Sequence, residues 1–345
     1  MKAQAAIIGL GRIASLLEED SLREKPCTHA GAIAANPGCV LAAGCDIDEE
    51  RRRLFSEKWR VPVYADAAEM IRIHAPQILA VATHPDSHYR YCRLAALSGV
   101  PVVICEKPLA GTVREARKIA RLAKAGPSGR GPVIITNHER RYSDDYIRAK
   151  TILDGEKLGR LLSVRANIYM GKSKRLLDVF WHDGTHLADA IMFLGGATLK
   201  HRRRLGAKLS ARAGTAWLEG ELRGTETGTG ETGAPKTKTK AVPVIIEIGA
   251  GRDHLVFEME FSCEKGRLRI GNGIFEVWES APCPYAENFR SLKHSGEVFK
   301  GPTGCFANMI GDAAACVNEN GISPRSSAAD GLRVIEYLHS VQAWH

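Results

Sequence analysis

Residues 9–14 read Gly9-Leu-Gly11-Arg12-Ile13-Ala14 and follow directly on a short apolar run, Ala5–Gly9. Gly-x-Gly-x-x-Ala spacing suits a backbone that turns tightly at the first glycine and approaches a diphosphate at the second. The third small residue lets a helix pack close to the strand, and the helix N-terminus attracts the anion. The motif therefore predicts a dinucleotide site, with Arg12 and Ile13 joining Gly9 and Gly11 as cofactor contacts. The second apolar run ends Gly44-Cys45-Asp46. A carboxylate there accepts hydrogen bonds from the adenosine ribose hydroxyls and repels a 2′-phosphate, which predicts NAD, with NADP as the lesser option. Arg51-Arg52-Arg53 keeps that option open, although such a run is more often a solvated helix face. Asp46 stands further from the glycines than the usual interval, so Leu16–Thr28 reads as an insertion within the first β-α-β unit.

Two more chemistry-bearing segments close apolar runs: Thr83-His-Pro-Asp-Ser-His88 and Glu106-Lys107-Pro108. Both would lie at the carboxyl edge of a parallel sheet, where such folds bind ligands. Further on stands His182-Asp183-Gly184-Thr185-His186. Histidines at i and i+4 share a helical face and can bind zinc, as in His-Glu-x-x-His. Asp is shorter than the Glu base of that motif, Gly184 weakens the helix, and no third-ligand pattern accompanies it, so no metal is expected.

The elements that must hold these residues follow from periodicity. Ala5–Gly9, Cys39–Cys45, Ile78–Thr83, Val100–Cys105 and Pro132–Thr136 are short and apolar throughout, as strands buried on both faces must be. Helical patterns at 28–36, 49–59, 66–74, 86–98 and 111–125 alternate with them, the last opening on the capping box Thr112-Val-Arg-Glu115. The alternation predicts a doubly wound parallel α/β sheet over 1–136. From 137 to 345 the pattern changes to an α+β arrangement. It has helices at 143–154, 183–194, 303–318 and 326–342, and a strand at 161–170. Strand-like segments follow at 208–222, 242–249, 254–262, 266–270 and 274–279, in a mostly antiparallel sheet. Gly224–Lys240 is low-complexity and reads as a flexible loop. Trp217, Trp278 and Trp344 are expected in the core.

The chain has 345 residues, more than one core usually serves, with 44% hydrophobic and 25% charged residues. These values exclude disordered, collagenous and coiled-coil classes. The net charge of +9 leaves room for an anionic ligand. The basic tracts Lys200–Arg204 and Lys236–Lys240 come without a nucleic-acid module, so no nucleic-acid partner is expected. Lys172, Lys174 and Arg175 could receive a phosphate or carboxylate. No apolar run reaches membrane-spanning length, and nine scattered cysteines form no Cys-x-x-Cys pair. A soluble, cytoplasmic chain without membrane association is expected.

Taken in order, the motifs Thr83–His88, Glu106-Lys107-Pro108, Asn137-His-Glu-Arg-Arg141-Tyr142, Leu153-Asp-Gly-Glu-Lys-Leu-Gly159 and Trp181–Asp189 resemble the Gfo/Idh/MocA oxidoreductases. The resemblance implies an N-terminal Rossmann domain and a C-terminal domain with a large open sheet, through which a homodimer or homotetramer forms. It implies hydride transfer between NAD(P) and a secondary hydroxyl or keto group of a sugar, cyclitol or related polyol. Lys107 and His186 would be catalytic: His186 as the general base, Lys107 beside the developing alkoxide and the nicotinamide. Thr83, His88, Glu106 and Lys107 would line the cofactor; Arg141, Trp181, His182, Asp183 and His186 the substrate. The family's usual Asp four residues before the His is His182 here, which would be a second proton carrier, with Asp183 or Asp189 orienting the base. Relatives that serve as NAD-binding sensors, or as NAD-dependent glycosidases, are the alternatives.

Overall fold

The structure is a computed structural model, and it describes residues 2–123, 131–155, 157–171, 174–224, 241–318 and 322–343. Lys172, Trp344 and all of the low-complexity segment except Gly224 lie outside the described residues. The chain divides into two compact units, 1–144 with 302–336 and 145–301 with 337–345. A stretch near the C-terminus, 302–336, thus belongs to the first unit.

In the first unit six strands, β1 (Ala3–Ile8), β2 (Cys39–Cys45), β3 (Val63–Tyr64), β4 (Ile78–Val81), β5 (Val102–Cys105) and β6 (Val133–Thr136), form one parallel sheet. Their order is β3-β2-β1-β4-β5-β6, the doubly wound arrangement whose direction switches between β1 and β4. β4 and β5 are buried along their whole length, which is why they read as unbroken apolar runs. The helices are α1 (His29–Ala35), α2 (Glu49–Trp59), α3 (Ala67–His74), α4 (Pro85–Leu97) and α5 (Val113–Leu122). Asp48, Asp66 and Thr112 cap α2, α3 and α5 by accepting backbone N–H bonds, Thr112 at the expected position.

The helix expected right after the glycine motif is interrupted. One turn forms, with the amides of Ser15 and Leu17 donating to the carbonyls of Gly11 and Arg12 at 3.1 and 2.9 Å. The chain then leaves through a 3-10 turn at Leu16–Glu19 and returns at α1. There the amides of His29 and Ala30 bond the carbonyls of Ile13 and Ala14 at 3.2 and 2.9 Å. The helix thus resumes as though 17–28 had been spliced into it. The excursion is pinned by Glu18, whose carboxylate accepts from the Cys27 amide (3.2 Å) and the Thr28 hydroxyl (2.6 Å). Glu24 accepts from the amides of Thr303 and Gly304. This is the insertion that separates Asp46 from its glycines.

In the second unit α6 (Asp144–Asp154) leads into β7 (Leu161–Met170), α7 (Leu176–His182) and α8 (Gly184–Gly195). β8 (Thr198–Gly206), β9 (Gly214–Arg223), β10 (Val242–Ala250), β11 (Val256–Cys263), β12 (Gly266–Gly271), β13 (Ile274–Pro282) and β14 (Arg290–His294) follow. The eight strands pair in the order β14-β13-β12-β11-β7-β10-β9-β8. Every pairing is antiparallel except β7 with β10. One face is apolar: Val164, Ala166 and Ile168 of β7, Val244, Ile246 and Ile248 of β10, and Phe257, Met259 and Phe261 of β11. α7 and α8 pack on these strands. The opposite face carries paired charges, Arg203 with Glu219, Arg267 with Glu260 and Arg269 with Glu258. Trp217 also stands on that face, 42% exposed rather than in the core, because it alternates with the buried Ala216 and Leu218. The tract Lys200–Arg204 is part of β8, with Arg202 and Arg203 tied to Glu221 and Glu219.

The first unit is closed by α9 (Cys305–Asn318), whose Phe306, Met309, Ile310 and Ala313 join the core of β1, β4 and β5. α10 (Ala328–Gln342) ends the described chain. All nine cysteines are free thiols. No described helix is long and apolar enough to cross a membrane.

Candidate functional site

The carboxyl edge of the first sheet is built by ladder bonds that run one residue beyond the strands. The amide of Gly9 donates to Cys45 (2.7 Å), that of Glu106 to Val81 (3.0 Å) and that of Asn137 to Cys105 (2.8 Å). Gly9, Asp46, Thr83, Glu106, Lys107 and Asn137 thereby come to the same edge from five strand ends.

Gly9 has φ +87°, and a Cβ there would stand 2.7 Å from the Ala82 carbonyl oxygen and 2.9 Å from Thr83 Cγ2. Only glycine fits. Over Gly11 the protein leaves room, since a Cβ would meet Arg51 Nη1 alone, at 3.8 Å. A close-approach surface left bare by a glycine at a parallel-sheet switch point is what a dinucleotide diphosphate requires, so these residues fit the expected cofactor. Arg12 is exposed and Ile13 half-buried beside it. Asp46 is buried, with Oδ2 accepting the Leu10 amide (2.7 Å) and Oδ1 the Asp48 amide (3.0 Å). Arg51 Nη1 lies 3.7 Å from Oδ2. The carboxylate is thus fixed in aim, and one arginine of the basic run is held next to it.

At the end of β5, Glu106 is 6% exposed. Its Oε1 accepts from His29 Nε2 (2.7 Å) and Asn137 Nδ2 (2.6 Å), and its Oε2 from the Lys107 amide (3.3 Å). Burial pushes this carboxyl up, but the donors of His29 and Asn137 and the charge of Lys107 outweigh it and hold it below the usual range. Lys107 itself is half-buried. His88, expected among the cofactor contacts, is fully buried instead, with Nε2 3.1 Å from the Thr83 carbonyl and Nδ1 3.3 Å from that of Leu109. Burial lowers its basicity despite those carbonyls. It ties the loop after β4 to the loop after Lys107 and acts on the edge from beneath. Thr83 is half-buried, its hydroxyl taking a bond from Ser87 (2.7 Å).

Arg141, expected at the substrate, is buried in the first unit, where Nη1 pairs with Asp330 (3.0 Å) and bonds the Arg325 carbonyl (3.1 Å). These partners make it a fastener of that unit. Asp330 is pushed up by burial, then held below its ordinary value by Arg141, Ser327 and Arg333.

In the second unit the segment 183–194 is not one helix with His182. α7 ends at His182, Asp183 is a turn residue with φ −103° and ψ −27°, and α8 starts at Gly184. His182 and His186 therefore belong to different helices. The imidazole of His182 is exposed, with Nδ1 3.0 Å from Asp183 Oδ1, while Lys174 Nζ lies 3.9 Å from Oδ2. Asp183 thus orients His182, a pairing that helical spacing could not reveal. His186 is half-buried on α8, and Asp189 is buried one turn further on. Trp181 is held by Gln342 (3.2 Å) and stands edge-on to His339. Among the described residues no group of three or more His, Cys, Asp or Glu is gathered in metal-binding geometry.

Residues 3–127 match the Gfo/Idh/MocA family model, described as an oxidoreductase family with an NAD-binding Rossmann fold. The chain is 27% identical over 158 residues to the uncharacterized oxidoreductase YhhX of Escherichia coli, covering 42% of this chain and 44% of that one. It is 28% identical over 171 residues to inositol 2-dehydrogenase of Salmonella typhimurium, covering 49% and 46%. The chain thus spans less than half the length of these curated relatives. In fold it is similar over 99% of its length, and 97% of the other's, to the crystal structure of myo-inositol 2-dehydrogenase from Lactobacillus plantarum (TM-score 0.70, 19% identity). It is similar over 100% and 96% to that of a putative NADPH-dependent oxidoreductase from Desulfitobacterium hafniense (TM-score 0.76, 15% identity).

Proposed function

We propose, from the premise that the N-terminal domain of this chain belongs to the Gfo/Idh/MocA oxidoreductase family, that the protein is an NAD(P)-dependent dehydrogenase. Its substrate is the secondary hydroxyl of a sugar, cyclitol or related polyol. The observation that carries the reading is Glu106-Lys107 at the same sheet edge as the bare Gly9–Gly11 surface and the fixed Asp46 carboxylate. When bound, the nicotinamide accepts or returns the hydride. Gly9 and Gly11 admit the diphosphate, and Asp46 accepts from the adenosine ribose. Lys107 places positive charge beside the oxygen that becomes an alkoxide. His186 takes the hydroxyl proton, and imidazole suits the task because it titrates near working pH. The pair His182–Asp183 is an exposed proton carrier that exchanges with solvent. The charged and apolar outer face of the second sheet, with Trp217 and Ile245 exposed, is the surface through which copies of the chain associate.

The test is NADH formation with a panel of sugars, cyclitols and sugar acids, followed by Lys107→Ala and His186→Ala. Each substitution lowers kcat by roughly 10²–10⁴-fold, the range of general acid–base and electrostatic contributions, with little change in NAD affinity. Near-normal kcat in either variant overturns the assignment. A panel that yields no NADH while NAD still binds overturns the enzyme and favours a sensor.

A further inference from the structure

The Glu106 carboxylate is held by more than its own strand. His29, first residue of α1, comes from the far side of the 17–28 excursion, and its side chain is fully buried. Its ring stands edge-on to Phe306, with centroids 5.5 Å apart and planes at 80°. Nε2 reaches Glu106 Oε1 at 2.7 Å, and the buried Nδ1 has no hydrogen-bond partner. A proton on Nδ1 would be a buried donor without an acceptor, so the ring carries it on Nε2 and donates to the carboxylate. With Asn137 donating at 2.6 Å to the same oxygen, both lone pairs of Oε1 are filled. Oε2 remains for the Lys107 segment, whose amide it accepts at 3.3 Å.

We propose that His29 is a positioning residue for Lys107, acting through the Glu106 carboxylate. By filling Oε1 it fixes the rotation of the carboxyl group, directs Oε2 toward the Lys107 backbone, and keeps a negative charge in a buried place beside the lysine. The inference rests on Lys107 being the amine of the proposed reaction. The groups bearing on Glu106 are His29 from α1, His88 from α4, Asn137 after β6, and its chain neighbours Cys105 and Lys107. Removing the His29 donor leaves burial to dominate, so the carboxyl takes up a proton at a pH where the native group is ionised.

The first measurement needs neither cofactor nor substrate. Infrared difference spectra of the full chain are recorded as pH is lowered, for the native protein, His29→Leu, His29→Gln, and His29→Leu combined with Glu106→Gln. His29→Leu shows a protonated-carboxyl band at about pH 6, above the ordinary carboxylate range. The band is missing from the native chain and from the double variant, and His29→Gln, whose amide can still donate, largely removes it. With NAD and a turned-over substrate, His29→Leu lowers kcat about tenfold and moves its acid limb upward, while KM for NAD changes less than about twofold. If the leucine variant does not fold, His29→Asn, too short to reach the carboxylate, serves the same comparison. The proposal is overturned if no such band appears, or if the glutamine and leucine variants behave alike. Absence of turnover in the native chain overturns the dehydrogenase reading and leaves the spectroscopic result standing.

Discussion

Replacing Asp46 with alanine separates the two duties of this carboxylate. One is internal: Oδ2 accepts the amide of Leu10, which is 1% exposed, at 2.7 Å. Without it that donor is buried and unpaired, at a cost of about 1–3 kcal/mol. The Asp48 amide, on an exposed residue, turns to water at little cost. Urea denaturation of the cofactor-free chain should therefore show a loss of about 2 kcal/mol. The other duty faces the ligand. Hydrogen bonds from ribose hydroxyls to a carboxylate are worth ~1.5–3 kcal/mol, so NAD affinity should fall roughly 10- to 100-fold. NADP should move in the opposite direction, because the variant loses the repelling charge and releases Arg51, now 3.7 Å from Oδ2, toward a 2′-phosphate. Fluorescence titration with NADH and NADPH measures both, and adding Arg51→Ala should cancel the NADPH gain. An unchanged ratio of the two affinities in Asp46→Ala would refute the assignment of this edge to the adenosine ribose, whatever happened to stability.

Three other outcomes follow from the same structure. Gly9→Ala forces an L-residue to φ +87° and a methyl group against the Ala82 carbonyl at 2.7 Å. The left-handed conformation alone costs ~1–2 kcal/mol, so a loss of at least that size is expected in thermal unfolding, together with loss of NADH binding. Arg141→Leu strands a buried Asp330 that still has Arg333 and Ser327, so the loss should lie near the lower end of the ~3–5 kcal/mol typical of a broken buried pair. Asp330 has a depressed folded-state value, so its stabilisation is present above the unfolded carboxyl value and is lost as pH falls through the folded one. The stability gap between native protein and Asp330→Asn should accordingly close below about pH 4. A gap that widens on acidification would contradict the ion pair.

The parallel sheet was legible because strands covered on both faces must be apolar throughout, and β4 and β5 have no polar residue to blur the signal. The turn at Gly9 was legible because its φ of +87° and the nearby Ala82 carbonyl admit few residue types, and Asp46 because it closes an apolar strand. β8 was hidden: its outward Arg202 and Arg203 are matched to glutamates on β9, a stretch that reads as a basic tract until its partner strand is known. The 183–194 helix was placed within one residue at both ends, but α7 before it went unread, because seven residues are too few for a helical period to stand out. His29 was missed for a different reason, since helix α1 looks ordinary and its target lies on another element. A clue did exist for Asn137: strand β6 neighbours β5, so the residues just past their ends, 137 and 106, must meet.

The place of β7 in its sheet imposes an order of assembly on a chain emerging from the ribosome. β7 leaves the exit tunnel before any of its neighbours, yet its partners are β10 and β11. β8 and β9 can zip together as soon as both are out, and β10 can extend that ribbon. Meanwhile Val164, Ala166 and Ile168 have only α7 and α8, the next elements made, to cover them, while both backbone edges of β7 stay unpaired. The strand made first must wait for its third and fourth successors, so stalling translation between β9 and β10 should leave both of its edges open to foreign strands.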